Sequence, residues 1–236
     1  MYKVQKKLLY PVNVGRNVAR ETAQTHYVLA SDIELYPSPK IIPKFMQMIV
    51  ERSEPLQSTK PKVFPLHLFE VAADQSIPET KTELKAMLAK KKAVPFHKKL
   101  CPGCHTVPKA KEWQNAAETE GLHVFYTGKR MGPHIHWEPI YIGTNNEPLY
   151  DERLSWEGKS DKMTQVSNGA GIFSDHVSIF IISTRHFSVG HISFSYLPNN
   201  FINTWLFVDH LCSIIWIFFD NVNDTVVDNM SSVQFQ

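Results

Sequence analysis

Apolar residues in the first two-thirds of the chain recur at spacings that read as helices and strands. Val12 opens a stretch to about residue 25 whose polar side chains repeat at helical intervals, with Pro11 placed where a helix start tolerates it. A continuous apolar run from Tyr27 ends at Asp32 and is followed by Pro37, Ser38 and Pro39, the pattern of a buried strand emerging into a loop. Ile42, Phe45, Met46 and Ile49 mark one face of a core-facing helix over residues 41–53. Residues 62–72 are apolar and rich in strand formers and predict a single strand. Leu84, Met87 and Leu88 predict an amphipathic helix over 80–92 with a basic end. A short helix at 111–120 and a strand at 135–142 complete the series. Helices alternating with strands predict an α/β fold.

Two polar patterns stand out against this frame. Asn13, Arg16, Asn17 and Arg20 fall at i, i+3, i+4 and i+7, so one helical stripe carries two guanidiniums and two amides. Solvated helix faces usually mix Lys and Glu, and this one does not; such a stripe suits a diphosphate and a base or sugar. Asp32 and Glu34 follow at the end of the predicted strand, one residue apart. In open α/β sheets ligands bind at the carboxyl ends of strands, and two such carboxylates can place oxygens on one hard cation carrying a phosphorylated substrate. The pattern suggests a metal-dependent enzyme acting on nucleotide sugars.

Tyr10-Pro-Val-Asn-Val-Gly-Arg-Asn-Val-Ala-Arg20 followed by Ser31-Asp-Ile-Glu-Leu-Tyr-Pro-Ser38 resembles glycosyltransferase family 49, the beta-1,4-glucuronyltransferase group. Leu100-Cys-Pro-Gly-Cys104, Trp113, Trp137-Glu-Pro-Ile-Tyr141 and Tyr150-Asp-Glu-Arg-Leu154 agree with that family in order and approximate spacing. The resemblance covers about residues 10–165. It implies a GT-A fold, here a partial domain lacking its first strands, a divalent metal such as Mn2+, UDP-glucuronic acid as donor and a xylose-terminated glycan as acceptor. Related activity on galactose-terminated chains, beta-1,3-N-acetylglucosaminyl transfer, is the alternative within the enzyme class; a non-catalytic binding protein on a degraded GT-A scaffold is the alternative outside it. On the family reading Asp32 and Glu34 hold the metal, although many relatives carry Asp where this chain has Glu34. Asn13, Arg16, Asn17 and Arg20 line the donor side.

An inverting transfer needs a base for the acceptor hydroxyl, and Glu138, Asp151 and Glu152 are unranked candidates. Trp137 is suited to stack on the acceptor sugar. For Asp151, Glu152 and Arg153 the competing reading is a local ion pair. His134 and His136 more often form a surface pair than a ligand set. Cys101-Pro-Gly-Cys104-His105 matches a haem-attachment string and half a zinc site, both thinly. The resemblance favours a structural, disulfide-bonded pair in a loop of a lumenal Golgi enzyme.

Composition adds boundaries. A formal net charge of +2 over 236 residues argues against a nucleic-acid partner. The first residues have no apolar core of a signal or anchor, so a membrane anchor is expected only in a longer form. Arg185 is the one basic residue after 165, leaving 24 of the 25 in the first part, whereas nine of the fourteen Phe lie in residues 166–236. Residues 201–219 are apolar, but Asn203, Asp209 and His210 interrupt them, which argues against a membrane span. Gln165-Val-Ser167 can be encoded CAG-GTA-AGT, an exon end running into a splice donor. The expected organisation is therefore a partial transferase domain at 1–165 and a translated intron with no selected fold at 166–236, and a chain with little or no transferase activity as written. Transcript reads across codons 165–167 are expected to splice out the tail; a spliced messenger encoding the tail as written would contradict this.

Overall fold

The computed structural model describes residues 11–32, 35–51, 62–128, 137–153, the isolated positions 6, 56 and 132–134, and the backbone of strands at 178–182, 187–189, 207–208 and 214–219. The elements in chain order are α1 (Val12–Thr22), β1 (Tyr27–Asp32), β2 (Leu35–Tyr36), α2 (Ile41–Glu51), β3 (Lys62–Pro65), β4 (Leu68–Val71), α3 (Lys81–Ala89), β5 (Ala93–Pro95), α4 (Ala110–Asn115), β6 (Val124–Gly128), a 3-10 turn (Gly132–His134), β7 (Tyr141–Thr144), β8 (Ser178–Ile182), β9 (Phe187–Val189), β10 (Phe207–Val208) and β11 (Ile214–Phe219). The α/β class expected from the alternation holds.

A seven-stranded sheet has the order β10-β11-β1-β7-β3-β8-β6, and a four-stranded sheet the order β2-β9-β4-β5. Most pairs are antiparallel; β3 with β8 and β4 with β9 are parallel. β1 lies inside the larger sheet, between β11 and β7. Strand alternation sends Leu29 to one face, where it packs with Phe45, Phe64 and Ile142 beneath α2. Val28 goes to the other face and packs with Val12 of α1 and Tyr150. Trp113 of α4, Leu84 of α3 and Val63 form a further core with Trp137. Tyr27, Phe45 and Phe64 meet edge to face, with ring centroids 5.0 and 5.1 Å apart, which fixes α2 against the sheet.

The structure corrects the predicted layout in two places. The stretch at 62–72 is not one strand: it breaks at Leu66 and His67, and its halves belong to different sheets. Leu66 donates its N–H to Ile140 O while Phe96 donates to Leu68 O, so the chain passes from one sheet to the other with its backbone bonds kept. The strand expected at 135–142 begins only at Tyr141. Trp137 N–H turns back to His134 O and Glu138 N–H bonds Cys104 O, so neither is available to a sheet ladder; Ile135 and His136 lie outside the described residues. Strand β6 had no counterpart in the sequence reading.

Helix α3 starts where the sequence signals it. Thr80 and Glu83 form a reciprocal capping box, in which Glu83 N–H donates to Thr80 Oγ1 at 3.1 Å and Thr80 N–H to Glu83 Oε2 at 3.3 Å. The backbone of the stretch after residue 165 contributes strands β8 to β11, with β11 paired to β1 from Tyr27↔Phe219 to Asp32↔Ile214. No helix among the described residues is long and apolar enough to cross a membrane.

Phe45 is fully buried at the junction of α2 and the sheet. Phe45→Ala is expected to lower stability by about 3–5 kcal/mol, read as a shift of the denaturant midpoint; a change below 1 kcal/mol would mean that α2 does not carry this core.

Candidate functional site

Strand β1 ends at Asp32, the first of the two acids. Because β7 runs antiparallel to it, with Tyr27↔Thr144, Val28↔Gly143 and Leu29↔Ile142 opposed, the chain entering β7 approaches the sheet at the end from which β1 leaves. Residues 137–140 are therefore brought toward the outgoing end of β1. The side chain of Asp32 and all of Glu34 lie outside the described residues. Among the described residues no three His, Cys, Asp or Glu side chains cluster as a metal site.

The polar stripe of α1 is buried rather than open. Asn13, Arg16, Asn17 and Arg20 are all 4% exposed or less. Asn13, Asn17 and Arg20 bond the backbone that follows β7. Asn17 Nδ2 donates to Tyr150 O at 2.9 Å, and Tyr150 N–H donates back to Asn17 Oδ1 at 2.8 Å. Asn13 Nδ2 donates to Asp151 O at 2.9 Å, while Arg20 donates to the carbonyls of Pro148 and Glu147, each at 2.5 Å. Arg16 bonds Asn13 Oδ1 at 3.0 Å and lies 5.1 Å from the Tyr150 ring centroid, a cation–π contact. The stripe thus grips residues 145–152. This corrects the expectation that it faces a diphosphate: Asn13, Asn17 and Arg20 donate to carbonyls of a segment that, among the described residues, pairs with no strand.

The clamp also places two of the acids. Residues 23–26 join α1 to β1. Residues 145–152 run from Asn145, which donates to Thr25 O at 2.9 Å, to Asp151 at Asn13. Glu152 Oε1 accepts from Asn17 Nδ2 at 2.9 Å. Asp151 is paired through both oxygens with the Arg153 guanidinium, at 2.6 to 3.1 Å. The Arg153 guanidinium and backbone N–H hold its carboxyl down to about 2.

Trp137 does not stand open to a sugar. It is 1% exposed and packed in the core with Val63 and Trp113, with His134 at 5.7 Å; the apolar area of an indole stabilises most when it is buried. This corrects its assignment as an acceptor platform. Its neighbour Glu138 is held by a loop the sequence did not connect to it. Cys101 and Cys104 are disulfide-bonded, Glu138 N–H donates to Cys104 O at 2.8 Å, and His105 Nδ1 lies 2.8 Å from Glu138 O. His105 is 7% exposed and packs against Phe96 and His97. Nothing in the local sequence links a histidine at 105 to an acid at 138.

Asn17→Ala removes the donor to Tyr150 O and the acceptor of Tyr150 N–H, both buried. It is expected to cost about 2–4 kcal/mol of stability, measured by chemical denaturation; unchanged stability would return the stripe to the role of a ligand face. The Asp151–Arg153 contribution is present above the ordinary carboxylate range and fades as pH falls toward about 2. Arg153→Gln is expected to move the Asp151 titration back toward 3.8 in a carbon-detected NMR experiment.

Residues 1–169 match the family model described as "Glycosyl-transferase for dystroglycan". The chain is 35% identical over 159 residues to beta-1,4-glucuronyltransferase 1 of Danio rerio, covering 66% of this chain and 35% of that protein. It is 28% identical over 157 residues to beta-1,4-glucuronyltransferase 1 of Homo sapiens, covering 66% and 36%. It is 27% identical over 184 residues to glycosyltransferase-like protein gnt14 of Dictyostelium discoideum, covering 75% and 27%. The chain thus spans about a third of the length of these relatives. With a family match over more than two-thirds of its residues, the chain belongs to the dystroglycan glycosyltransferase family.

Proposed function

We propose that the chain carries part of the site of an inverting glycosyltransferase of GT-A type that moves glucuronic acid from UDP-glucuronic acid to a xylose-terminated glycan. The observation that carries this reading is the family match over residues 1–169, in a chain whose relatives are named glucuronyltransferases and whose sequence carries the acids Asp32, Glu138, Asp151 and Glu152. An α-linked nucleotide sugar becomes a β-linked product, so the acceptor hydroxyl attacks from the face opposite the departing UDP. That step needs a carboxylate on the acceptor side, and Glu138, fixed through its backbone by the disulfide loop, is the first candidate, with Glu152 the second.

The metal part of the reading rests on the chemistry of the donor pair. Asp32, the last residue of β1, and Glu34, two positions on in the sequence, are hard oxygen donors of a kind that suits Mn2+ or Mg2+. Bound there, the ion would neutralise charge developing on the leaving diphosphate. Asn13, Arg16, Asn17 and Arg20 support the site indirectly, by fixing where residues 145–152 run. The Cys101–Cys104 disulfide suits an oxidising compartment, in keeping with a lumenal Golgi location for the whole protein.

Isothermal titration of the chain with UDP-glucuronic acid, with MnCl2 and then with EDTA, tests the reading. Metal-dependent binding weakened about tenfold or more by Asp32→Ala is expected. Binding indifferent to metal and to Asp32→Ala would overturn it, and preference for UDP-N-acetylglucosamine would move the reading to the other donor.

A further inference from the structure

The turn at 97–104 carries chemistry that sugar transfer does not use. Cys101 and Cys104 are disulfide-bonded with Pro102 and Gly103 alone between them. The stabilisation a disulfide gives grows with the length of chain it closes, and this one closes almost none. Backbone bonds already hold the turn. Leu100 and Cys101 both donate N–H to His97 O, at 3.0 and 2.8 Å, and Cys104 donates to Cys101 O at 3.1 Å. Thr106 Oγ1 closes the far side on Pro102 O at 2.6 Å, and the His105 ring is anchored at the Glu138 carbonyl. The fold thus keeps the two sulfurs together whether or not they are bonded. A pair held in this way can open and close without unfolding the chain, which is what exchange requires and a cross-link that serves stability does not.

The pair is also within reach. Both cysteines are half-buried, and Leu100, Pro102 and Gly103 beside them are exposed, Leu100 at 81%. A Cβ added at Gly103 would meet nothing within 4 Å, so the tip of the turn is open to a second molecule. The approach is cationic. Residues 84–111 hold eight Lys and no Asp or Glu, in a chain whose formal net charge is +2. Lys98 and Lys99 stand exposed within the turn itself. Glu70 reaches it from β4, where its Oε1 accepts the His97 N–H at 2.8 Å. Cations beside a thiol favour the thiolate, which is both the exchanging species and the better leaving group.

We propose that Cys101–Cys104 is a redox-active disulfide that accepts two electrons from the dithiol of a partner protein with an acidic surface. One thiolate of the partner attacks a sulfur of the pair, the S–S bond breaks, and the other cysteine leaves as a thiolate; the partner's second thiol then resolves the mixed disulfide. Both protons of the dithiol end on Cys101 and Cys104, and the partner departs as a disulfide. Exposed Leu100 offers that partner an apolar contact, and the lysines select its sign. This chemistry goes beyond sugar transfer and does not depend on it.

Differential alkylation with mass spectrometry of the full chain, carrying Cys212→Ser so that this pair alone reports, tests the proposal. Reduced dithiothreitol is expected to open the disulfide in the folded chain at a rate within about tenfold of that in urea. The circular dichroism spectrum is expected to persist, and oxidised glutathione to restore the bond. A slower folded-state rate, or reduction that unfolds the chain, would overturn the proposal and make the pair a structural cross-link. A Cys-x-x-Cys peptide flanked by Asp is expected to reduce the pair about tenfold faster at low salt than the same peptide flanked by Lys, after correction for each peptide's thiolate fraction. Lys98→Glu with Lys99→Glu, both on the surface, is expected to remove that preference. Equal rates for the two peptides, or a preference that survives the double substitution, would overturn the acidic partner.

Discussion

The hydrogen bonds between the buried stripe of α1 and the backbone of residues 145–152 are the constraint on which the site depends. Among the described residues that segment pairs with no strand, yet it lies against a helix with Tyr150 only 8% exposed. Each carbonyl buried there without a donor would cost on the order of 1–3 kcal/mol. Asparagine and arginine supply those donors from fixed helical positions, and Asn17 both gives to and accepts from one residue, Tyr150. The path of the segment is thus set residue by residue.

A second hold acts on the opposite flank. The disulfide loop reaches Glu138 through two backbone contacts, one from Cys104 and one from His105. Phe96, His97 and His105 stack beneath the loop, and His97 N–H donates to Glu70 Oε1 at 2.8 Å. The acids near β1 are therefore supported by elements far from them in sequence. Rigid support of this kind is what a catalytic carboxylate requires, because small misplacements of a reacting group cost large factors in rate.

The periodic elements were legible because burial imposes period on sequence. α1, β1 and α2 stand within three residues of where their apolar patterns placed them. What Asn13, Arg16, Asn17 and Arg20 contact was not legible. A helical stripe of donors looks the same whether it faces a diphosphate or backbone carbonyls more than 120 residues away. Trp137 is ambiguous in the same way, since an indole suits a sugar face and a core equally well. The break at Leu66 and His67 escaped notice because both halves are apolar and the switch of sheet is decided by tertiary partners. The local ion pair of Asp151 with Arg153, by contrast, could be read from a spacing of two residues. The motif pattern at 10–165 identified the family where periodicity alone could give only the class.

Paramagnetic broadening by Mn2+ tests the central claim most directly, because it maps one end of the sheet against the other. The account predicts loss of amide signals at Ser31, Glu138 and Asp151, with those of Thr25, Thr144 and Asn145 retained, and no selective loss in Asp32→Ala. Broadening centred on Thr144 and Asn145, or a pattern unchanged by Asp32→Ala, would contradict it.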